Sequence, residues 1–282
     1  MIVRERIEKA ADTLTTGERK LAATILSDYP FSGLSPIQEL AQHAEVSAPS
    51  ISRFVTKIGL EGYQEFQREL ISELKQGMRS PLELHAPNRA VDGGFLKDFI
   101  AKSTSQMAMA ADAITEEQFL RMCTLLIDPK RRIYIIGGRI SDTIARHLTF
   151  HLQLIRKDVV HLPSDAELWP EYLLRMRQGD ILYIVDFRRY EDRLGQLARL
   201  AARTCNARIV LMTDKWISPI AKHAQEVIPV PIDSGTLWDT YSAALAVTEA
   251  IVTQIAEHNW DKTRVRMEAW EDLRLNVKDK MP

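Results

Sequence analysis

The sequence predicts an all-α N-terminal domain joined to an α/β domain that has a five-stranded parallel sheet flanked by helices. Helix-capping patterns and apolar residues at helical spacing fill the first 77 residues. After residue 130, five short apolar runs alternate with amphipathic segments, which is the pattern of parallel strands that helices cover on both faces. The 282 residues are enough for two domains, each with its own hydrophobic core.

The N-terminal part is predicted to be a bundle of short helices. Thr15 and Glu18 form a capping box at the start of one predicted helix. Ser35 and Gln38 form a second capping box, and Pro36 takes the first helical position, where its missing N–H costs nothing. Between the two boxes, four apolar residues share one helical face: Leu21, Ala22, Ile25 and Leu26.

A helix-turn-helix pattern lies within this bundle, at residues 37–59 (IQELAQHAEVSAPSISRFVTKIG). Ala41 is small, as close crossing of two helices requires, and Glu45 stands in the turn where glycine is frequent. Ser47 is expected to cap the second helix. That helix has no acidic residue and presents hydroxyls and cations, which suits insertion into the major groove of DNA. The predicted DNA-binding residues are Ser47, Ser50, Ser52, Arg53 and Lys57; the alternative is a solvated helix face.

The charge of the whole chain gives no signal of nucleic-acid binding. The net charge is −1, and residues 1–77 hold nine Lys and Arg against eleven Asp and Glu. A DNA site must therefore be a local patch. No stretch has the apolar core of a signal peptide or the roughly 20 apolar residues of a membrane span. We therefore expect a cytoplasmic protein with no membrane partner.

No metal or other cofactor is indicated. Cys123 and Cys205 are far apart and lack a partner at metal-ligand spacing, so both are most simply small buried hydrophobes. His147 and His151 are four residues apart on a predicted helix, a spacing that can hold a metal, but the leucines around them indicate packing. The prediction is that the chain carries no cofactor and no metal.

The α/β domain is expected to bind a ligand where its strands end. The apolar runs cover residues 132–138, 158–162, 181–185, 208–212 and 226–230. Helical patterns lie between them, at residues 142–155, 166–175, 192–204 and 219–224. In parallel sheets, ligands bind at the carboxyl ends of the strands, near the point where the strand order reverses. The candidate loops are therefore residues 137–141, 186–191 and 213–219.

Four segments give the chain a resemblance to a known family. They are VSAPSISRFVTKIGLEGYQEF at 46–66, IYIIGGRISDTIARHL at 133–148, QGDILYIVDF at 178–187 and TDKWISPIAKHA at 213–224. In this order they resemble the RpiR family of bacterial transcriptional regulators, which join a helix-turn-helix domain to a SIS (sugar isomerase) domain. The resemblance covers nearly the whole chain. It implies a double-stranded DNA operator, a homodimer or homotetramer, and a small-molecule effector, typically a phosphosugar.

The predicted domain boundaries follow the composition of the chain. Residues 78–94 gather Gly, Pro, Asn and Ser with little periodicity, which is typical of a linker. The helix-turn-helix domain is therefore assigned to residues 1–77, and an effector-sensing and oligomerisation domain of the SIS type to residues 95–282.

The first ligand loop departs from the family pattern at one position. The family loop is G-x-G-x-S, and Gly137 and Ser141 match it. Arg139 replaces the second glycine. Thr213 and Ser218, from the third loop, complete the ligand residues predicted outside the second loop.

The second ligand loop has lost every hydroxyl of its family pattern, S-x-S-G-x-T. Asp186, Arg188, Arg189 and Glu191 stand at the serine, serine, glycine and threonine positions. One hypothesis is that Arg188 or Arg189 binds a carboxylate or another anionic metabolite through planar, bidentate hydrogen bonds, with Arg139 nearby. The alternative is that Arg188 pairs with Asp186 or Glu191 and closes a vestigial pocket.

The predicted function is a DNA-binding transcriptional regulator, not an enzyme, whose SIS domain senses a small anionic metabolite. The alternative is an aldose-ketose phosphosugar isomerase of the SIS type. Isomerisation needs a base in the pocket, and Asp186 or Glu191 is placed where one could serve.

Overall fold

The computed structural model describes residues 1–85 and 94–278, with side chains as far as residue 275. The chain divides into two compact units, Met1–Arg79 and Ser80–Pro282. Of the predicted linker at 78–94, residues 86–93 lie outside the described residues. No helix in the described parts combines the length and the apolarity that a bilayer span requires.

The N-terminal unit is helical, as predicted. Its α-helices are α1 (Val3–Ala10), α2 (Thr16–Ser27), α3 (Ile37–His43), α4 (Ala48–Lys57) and α5 (Tyr63–Met78). One buried cluster joins them, and it includes Ile7, Ile25, Ile51, Phe54 and Phe66, each almost completely excluded from solvent.

The first predicted capping box is confirmed, and the second is wrong. Glu18 N donates to Thr15 Oγ1 at 3.4 Å, and Thr15 N donates to a carboxylate oxygen of Glu18 at 2.8 Å. At α3, extended backbone at Pro36 makes proline the N-cap, so the helix begins one residue later than expected. Ser35 is held differently, because its carbonyl oxygen accepts the Tyr63 hydroxyl at 2.7 Å.

The turn between α3 and α4 has the tight geometry that the sequence predicts. Val46 N donates to the Ala41 carbonyl at 3.0 Å. Glu45 has a φ of 53°, in the left-handed region that favours glycine, and its carboxylate pairs with Lys20 Nζ at 2.8 Å. Ser47 is the N-cap of α4 by position, but its side chain does not cap the helix as expected. Its Oγ instead lies 2.9 Å from Ser50 Oγ.

The second unit is an α/β fold with thirteen named segments in chain order. They are α6 (Pro81–Leu84), α7 (Phe95–Ala113), α8 (Glu116–Ile127), β1 (Ile133–Gly137), α9 (Asp142–Ile155), β2 (Val159–His161), α10 (Trp169–Arg175), β3 (Ile181–Asp186), α11 (Asp192–Thr204), β4 (Arg208–Thr213), β5 (Ala224–Pro229), α12 (Ser242–His258) and α13 (Trp260–Lys278). The predicted helix at 166–175 begins with a 3-10 helix over Ala166–Leu168, and the predicted helix at 219–224 is a 3-10 helix over Pro219–His223.

The five strands form one parallel sheet in the order β2-β1-β3-β4-β5, which confirms the predicted fold class. Alternate side chains enter two different cores. Ile133 and Ile135 belong to a cluster with α8, α9 and α12, while Tyr134 and Ile136 belong to a cluster with α10 and α11. Helices therefore cover both faces, which explains the continuously apolar strands. The strand order reverses between β1 and β3, so the loops after these two strands border the expected crevice.

Candidate functional site

The predicted ligand loops after β1 and β3 meet at the point where the strand order reverses. A cavity of about 230 Å³ opens between them, and Tyr241, the residue directly before α12, also lines it. We call this cavity the crevice. Its lining residues are Gly138, Arg139, Ile140, Ser141, Asp186, Phe187, Arg188, Arg189, Glu191 and Tyr241.

The β1 loop is held by its own polar groups. Ser141 is buried, and its hydroxyl donates to the Val185 carbonyl at 2.7 Å while it accepts the Gly138 N–H at 2.9 Å. Asp142 accepts the Gly137 N–H at 3.0 Å and lies 2.8 Å from a ring nitrogen of His161. Because its hydroxyl is already engaged with two protein groups, Ser141 supports the structure of the loop.

Replacing Gly137 by alanine is expected to destabilise the α/β unit by about 1–3 kcal/mol, because overpacking forces the backbone to move. A Cβ at this position would lie 2.5 Å from the backbone nitrogen and Cα of Asp142. Gly195→Ala in α11 is the matched control, since no atom other than the nearby backbone of its own helix lies within 4 Å of its added Cβ. Urea unfolding measures both variants, and equal stabilities would contradict the steric account.

Asp186 is buried at the end of β3, where it organises the second loop. One carboxylate oxygen accepts the Ser218 hydroxyl at 2.5 Å, and the other accepts the Glu191 N–H at 3.4 Å. Burial raises the pKa of Asp186 to about 7 despite these hydrogen bonds, and the nearby Asp214 carboxylate adds to the rise. Asp186 therefore carries only part of its negative charge near neutral pH.

This raised pKa predicts a pH-dependent stability. The folded unit favours the protonated form of Asp186, so the associated stabilisation is full below the unfolded pKa of 3.8 and is lost as pH rises through about 7. Asp186→Asn, which mimics the neutral form, should therefore gain stability over wild type as pH rises. Urea unfolding at several values between about pH 5 and pH 8 measures this difference. A difference that stays constant over this range would contradict the assigned protonation state.

The two adjacent arginines of the second loop occupy different environments. The side chain of Arg188 is only 3% exposed. Its guanidinium carbon lies 4.1 Å from the ring centre of Trp216, and Nη2 lies 3.1 Å from Asp239 Oδ1 and 3.8 Å from Asp233 Oδ2. Arg189 is exposed, with a φ of 63°, in the left-handed region that its family glycine would favour.

Arg188 is thus in a structural ion pair, but with other partners than those expected. Sequence reasoning proposed Asp186 or Glu191, whereas the acids within reach of the guanidinium are Asp233 and Asp239. Nε and Nη2 of Arg188 have no hydrogen-bond acceptor among the described residues, so the pairing with Asp239 is electrostatic rather than a good hydrogen bond.

Asp214, which sequence reasoning missed, joins the loops after β3 and β4. It is completely buried and accepts the Arg188 N–H at 2.6 Å, the Tyr190 hydroxyl at 2.8 Å and the Trp216 N–H at 2.9 Å. Burial raises its pKa to about 6. Its position directly after β4, in the stretch TDKWISP, was the available signal, because parallel strands place such residues at one edge of the sheet.

Two other predicted ligand residues lie inside the protein. Thr213 and Ser218 are completely buried, and Thr213 Oγ1 accepts the Ser218 N–H at 3.0 Å. Ser218 also holds Asp186, as described above. Neither residue lines the crevice, although Ser218 lines a neighbouring cavity of about 330 Å³ that shares Asp186 and Glu191 with it.

A larger groove lies elsewhere on this unit. It has a volume of about 590 Å³ between the C-terminal end of α9 and α13, with apolar walls that include Ile155, Val265 and Leu273. The crevice is smaller but brings together backbone N–H groups, arginines and carboxylates, which are the polar groups that give a ligand site its specificity. We therefore take the crevice as the candidate effector site.

The two predicted histidines of α9, His147 and His151, lie side by side. The rings of His147 and His151 are 4.6 Å apart between centres, and His147 Nε2 lies 3.8 Å from Glu249. Within residues 1–85 and 94–278, no group of three or more His, Cys, Asp or Glu residues is arranged to hold a metal ion.

The predicted DNA-binding residues lie along α4 in the other unit. Arg53 Nη2 donates to Ser50 Oγ at 3.0 Å, and Ser50 in turn contacts Ser47, so these three form one hydrogen-bonded row. Ser52 is exposed, and its hydroxyl lies 3.4 Å from the Ala48 carbonyl. Lys57 instead points towards its own unit.

The position of Lys57 is set by α2 and the residues before it. Its Nζ donates to Glu18 Oε2 at 2.8 Å and to the Thr13 carbonyl at 2.6 Å. The hydrogen bond from Lys57 lowers the pKa of Glu18, followed in effect by the hydrogen bond from the Thr15 backbone. Lys57 would have to leave these partners to contact DNA.

Comparisons with known proteins agree with this architecture. Residues 1–77 match the helix-turn-helix domain of the rpiR family, and residues 125–254 match the SIS domain. This chain belongs to the RpiR family of helix-turn-helix regulators that carry a SIS domain. The predicted family and fold class are therefore confirmed.

Relatives of this RpiR-family chain include a named regulator. This chain is 24% identical over 235 residues to the HTH-type transcriptional regulator HexR of Pseudomonas aeruginosa. The match covers 82% of this chain and 80% of HexR. This similarity favours a regulator over the alternative of an isomerase.

Solved structures show the same fold. The match to the Vibrio vulnificus NanR protein complexed with ManNAc-6P covers 97% of this chain and 98% of NanR, with 18% identity and a TM-score of 0.56. The sugar isomerase domain of an RpiR transcription factor from Sphaerobacter thermophilus covers 63% of this chain and 98% of that domain, with 15% identity and a TM-score of 0.58.

Proposed function

We propose that this RpiR-family regulator reads its operator with α4 in the major groove and responds to a small anionic metabolite bound in the crevice. The observation that carries the DNA part is the hydrogen-bonded row of Ser47, Ser50 and Arg53 at the start and middle of α4, in which Ser47 and Arg53 are exposed and Ser50 is half-buried. The Arg53 guanidinium donates to the short Ser50 hydroxyl in the free protein, and it can turn from there to a guanine edge or a phosphate. Ser52 adds a hydroxyl on the same helix.

Lys57 has a smaller role in this proposal. Its ammonium is held by Glu18 and the Thr13 carbonyl, so a phosphate contact by Lys57 would first break these bonds. We therefore assign the main cationic contact to Arg53, with Lys57 contributing mainly to the packing of α4 against its own unit.

The effector part of the proposal rests on Arg139 and Arg189. Both are exposed, line the crevice and come from neighbouring loops, so they can approach an anion from two sides. Arg188 lies against Trp216 and Asp239 and serves to position the loop. The effector class is a small metabolite with a phosphate or carboxylate group, and NanR, a fold neighbour, was solved with a sugar phosphate.

Signalling between the two sites needs a second arrangement of the protein. An effector changes DNA affinity only if it binds two arrangements of the subunits differently. We propose a homodimer or homotetramer, acting in the cytoplasm, in which the SIS domains supply those arrangements. A protein truncated at about residue 94 should therefore bind DNA weakly and without any effector response.

Calorimetry tests the effector assignment with a panel of sugar phosphates and sugar carboxylates. For any compound that binds the wild type, Arg189→Ala and Arg139→Ala should each weaken binding by roughly 10-fold or more, the usual value of a charge-assisted hydrogen bond. Arg203→Ala is the control, because Arg203 is exposed on α11 and lines neither the crevice nor the neighbouring cavity. Unchanged binding in both crevice variants would refute the assignment.

A further inference from the structure

The Glu191 side chain reaches across the crevice instead of serving its own helix. Glu191 is the N-cap of α11 by position, but its side chain makes no capping hydrogen bond there. Its Oε1 instead accepts the backbone N–H of Arg139 from the opposite loop at 2.5 Å. The carboxylate packs so closely on the β1 loop that a Cβ added at Gly138 would lie 2.8 Å from the same oxygen.

The place that this carboxylate takes is suited to an anion. A backbone N–H at the reversal point of a parallel sheet, with arginines on both flanking loops, is a general arrangement for binding phosphate or carboxylate. The crevice is lined by Arg139, Arg188 and Arg189, and Asp239 is within ion-pair distance of Arg188. Arg139 and Arg189 remain exposed beside the Glu191 carboxylate.

Asp186 keeps Glu191 in this position. The Asp186 carboxylate accepts the backbone N–H of Glu191, which fixes the start of the side chain at the edge of the crevice. A ligand dianion that entered beside the Glu191 carboxylate would meet like charge at close range, which is unfavourable in a partly buried site. Entry of such a ligand therefore requires the carboxylate to leave the Arg139 N–H.

We infer that the Glu191 carboxylate is a resident anion in the effector crevice, and that the anionic group of the effector takes its place at the Arg139 N–H. The inference rests on the proposed function of the crevice and specifies how its anion subsite is built. Exchange of the two anions breaks the bond between the β1 loop and the residue that precedes α11. Ligand binding thereby changes the connection between two loops. The effector can in this way favour the arrangement in which the bond between Glu191 and Arg139 is broken.

The test uses inorganic phosphate as the probe and the full-length protein without DNA. Isothermal titration calorimetry compares wild type with Glu191→Gln and Glu191→Thr, which both remove the resident charge. Phosphate affinity should rise at least about 10-fold in both variants, corresponding to about 1.4 kcal/mol. Glu249→Gln is the matched control, since Glu249 lies on α12 outside the crevice and is 59% exposed. This control should bind phosphate as wild type does.

Phosphate affinity that is unchanged or lower in both folded Glu191 variants would overturn the inference. Two substitutions of different size are used so that a local packing defect in one does not decide the result, and thermal unfolding confirms that each is folded. The outcome is separate from the proposed function. If the variants bind phosphate more tightly but no effector alters DNA binding, the resident anion stands and the proposed signalling fails. If an effector alters DNA binding while phosphate affinity is unchanged in the variants, the proposed signalling stands and the resident anion is refuted.

Discussion

Replacing Arg53 by alanine is expected to lower the affinity of the full-length protein for operator DNA by about 10- to 100-fold. A bidentate arginine contact to a base is worth roughly 1–3 kcal/mol, and Arg53 is the exposed cation in the middle of α4. Fluorescence anisotropy on DNA from upstream of the protein's own gene measures the change. If Arg53 reads a base, the loss should be larger on this DNA than on scrambled DNA of equal length.

Arg68→Ala is the matched control for Arg53→Ala. Arg68 is an exposed arginine of the same unit, on α5, and its removal changes the charge of the unit equally. Its affinity for operator DNA should stay within about threefold of wild type. Equal losses in both variants would mean that the unit binds DNA through its overall charge, and that α4 is not the recognition helix.

Replacing Arg188 by alanine is expected to destabilise the α/β unit by about 3–5 kcal/mol, the typical cost of removing one partner of a buried ion pair. The side chain is almost completely buried against Trp216, and its removal leaves the Asp239 carboxylate in a poorly solvated place. Burial already raises the pKa of Asp239 to about 6, and the Arg188 charge opposes this rise. Urea unfolding at neutral pH measures the loss.

Arg189→Ala is the control, because it removes the same side chain from the next residue. Arg189 is exposed, so its stability should lie within about 0.5 kcal/mol of wild type, while its binding of anions falls. The two variants therefore separate structure from ligand binding. A stable Arg188→Ala protein that fails only in ligand binding would show that Arg188, not Arg189, contacts the effector.

The sequence predicts the fold well because the fold depends on local patterns. Continuous apolar runs such as ILYIV at 181–185 are typical of strands with both faces buried, as β3 is. The apolar face of α4 and the residues before it predict the helix-turn-helix in the same way. The position of Glu45 in the glycine-favouring conformation also follows from counting residues in a short turn.

The crevice could be predicted only in part. Sequence order places Arg139, Arg188, Arg189 and Glu191 at one edge of the sheet, and the structure brings them together there. The partners of each side chain depend on long-range packing, which no local pattern encodes. Asp239, which pairs with Arg188, belongs to the irregular segment before α12, so nearby acids in the same loop were the wrong candidates.

The contact of Lys57 with Glu18 of its own unit also depends on long-range packing. Helical spacing places Lys57 on the polar side of α4, but only the approach of α2 brings Glu18 within 2.8 Å of its ammonium. The same side chain can therefore look like a DNA contact in the sequence and act as a structural ion pair in the free protein.

Selection from a random library of double-stranded DNA, with the full-length protein, tests whether α4 reads DNA sequence. The selection does not depend on knowing where the operator lies. Wild type should enrich one common sequence, Arg68→Ala should enrich the same sequence, and Arg53→Ala should not. If wild type enriches no sequence over repeated rounds at physiological salt, where specific binding exceeds non-specific binding by about 10³-fold or more, α4 does not read DNA sequence.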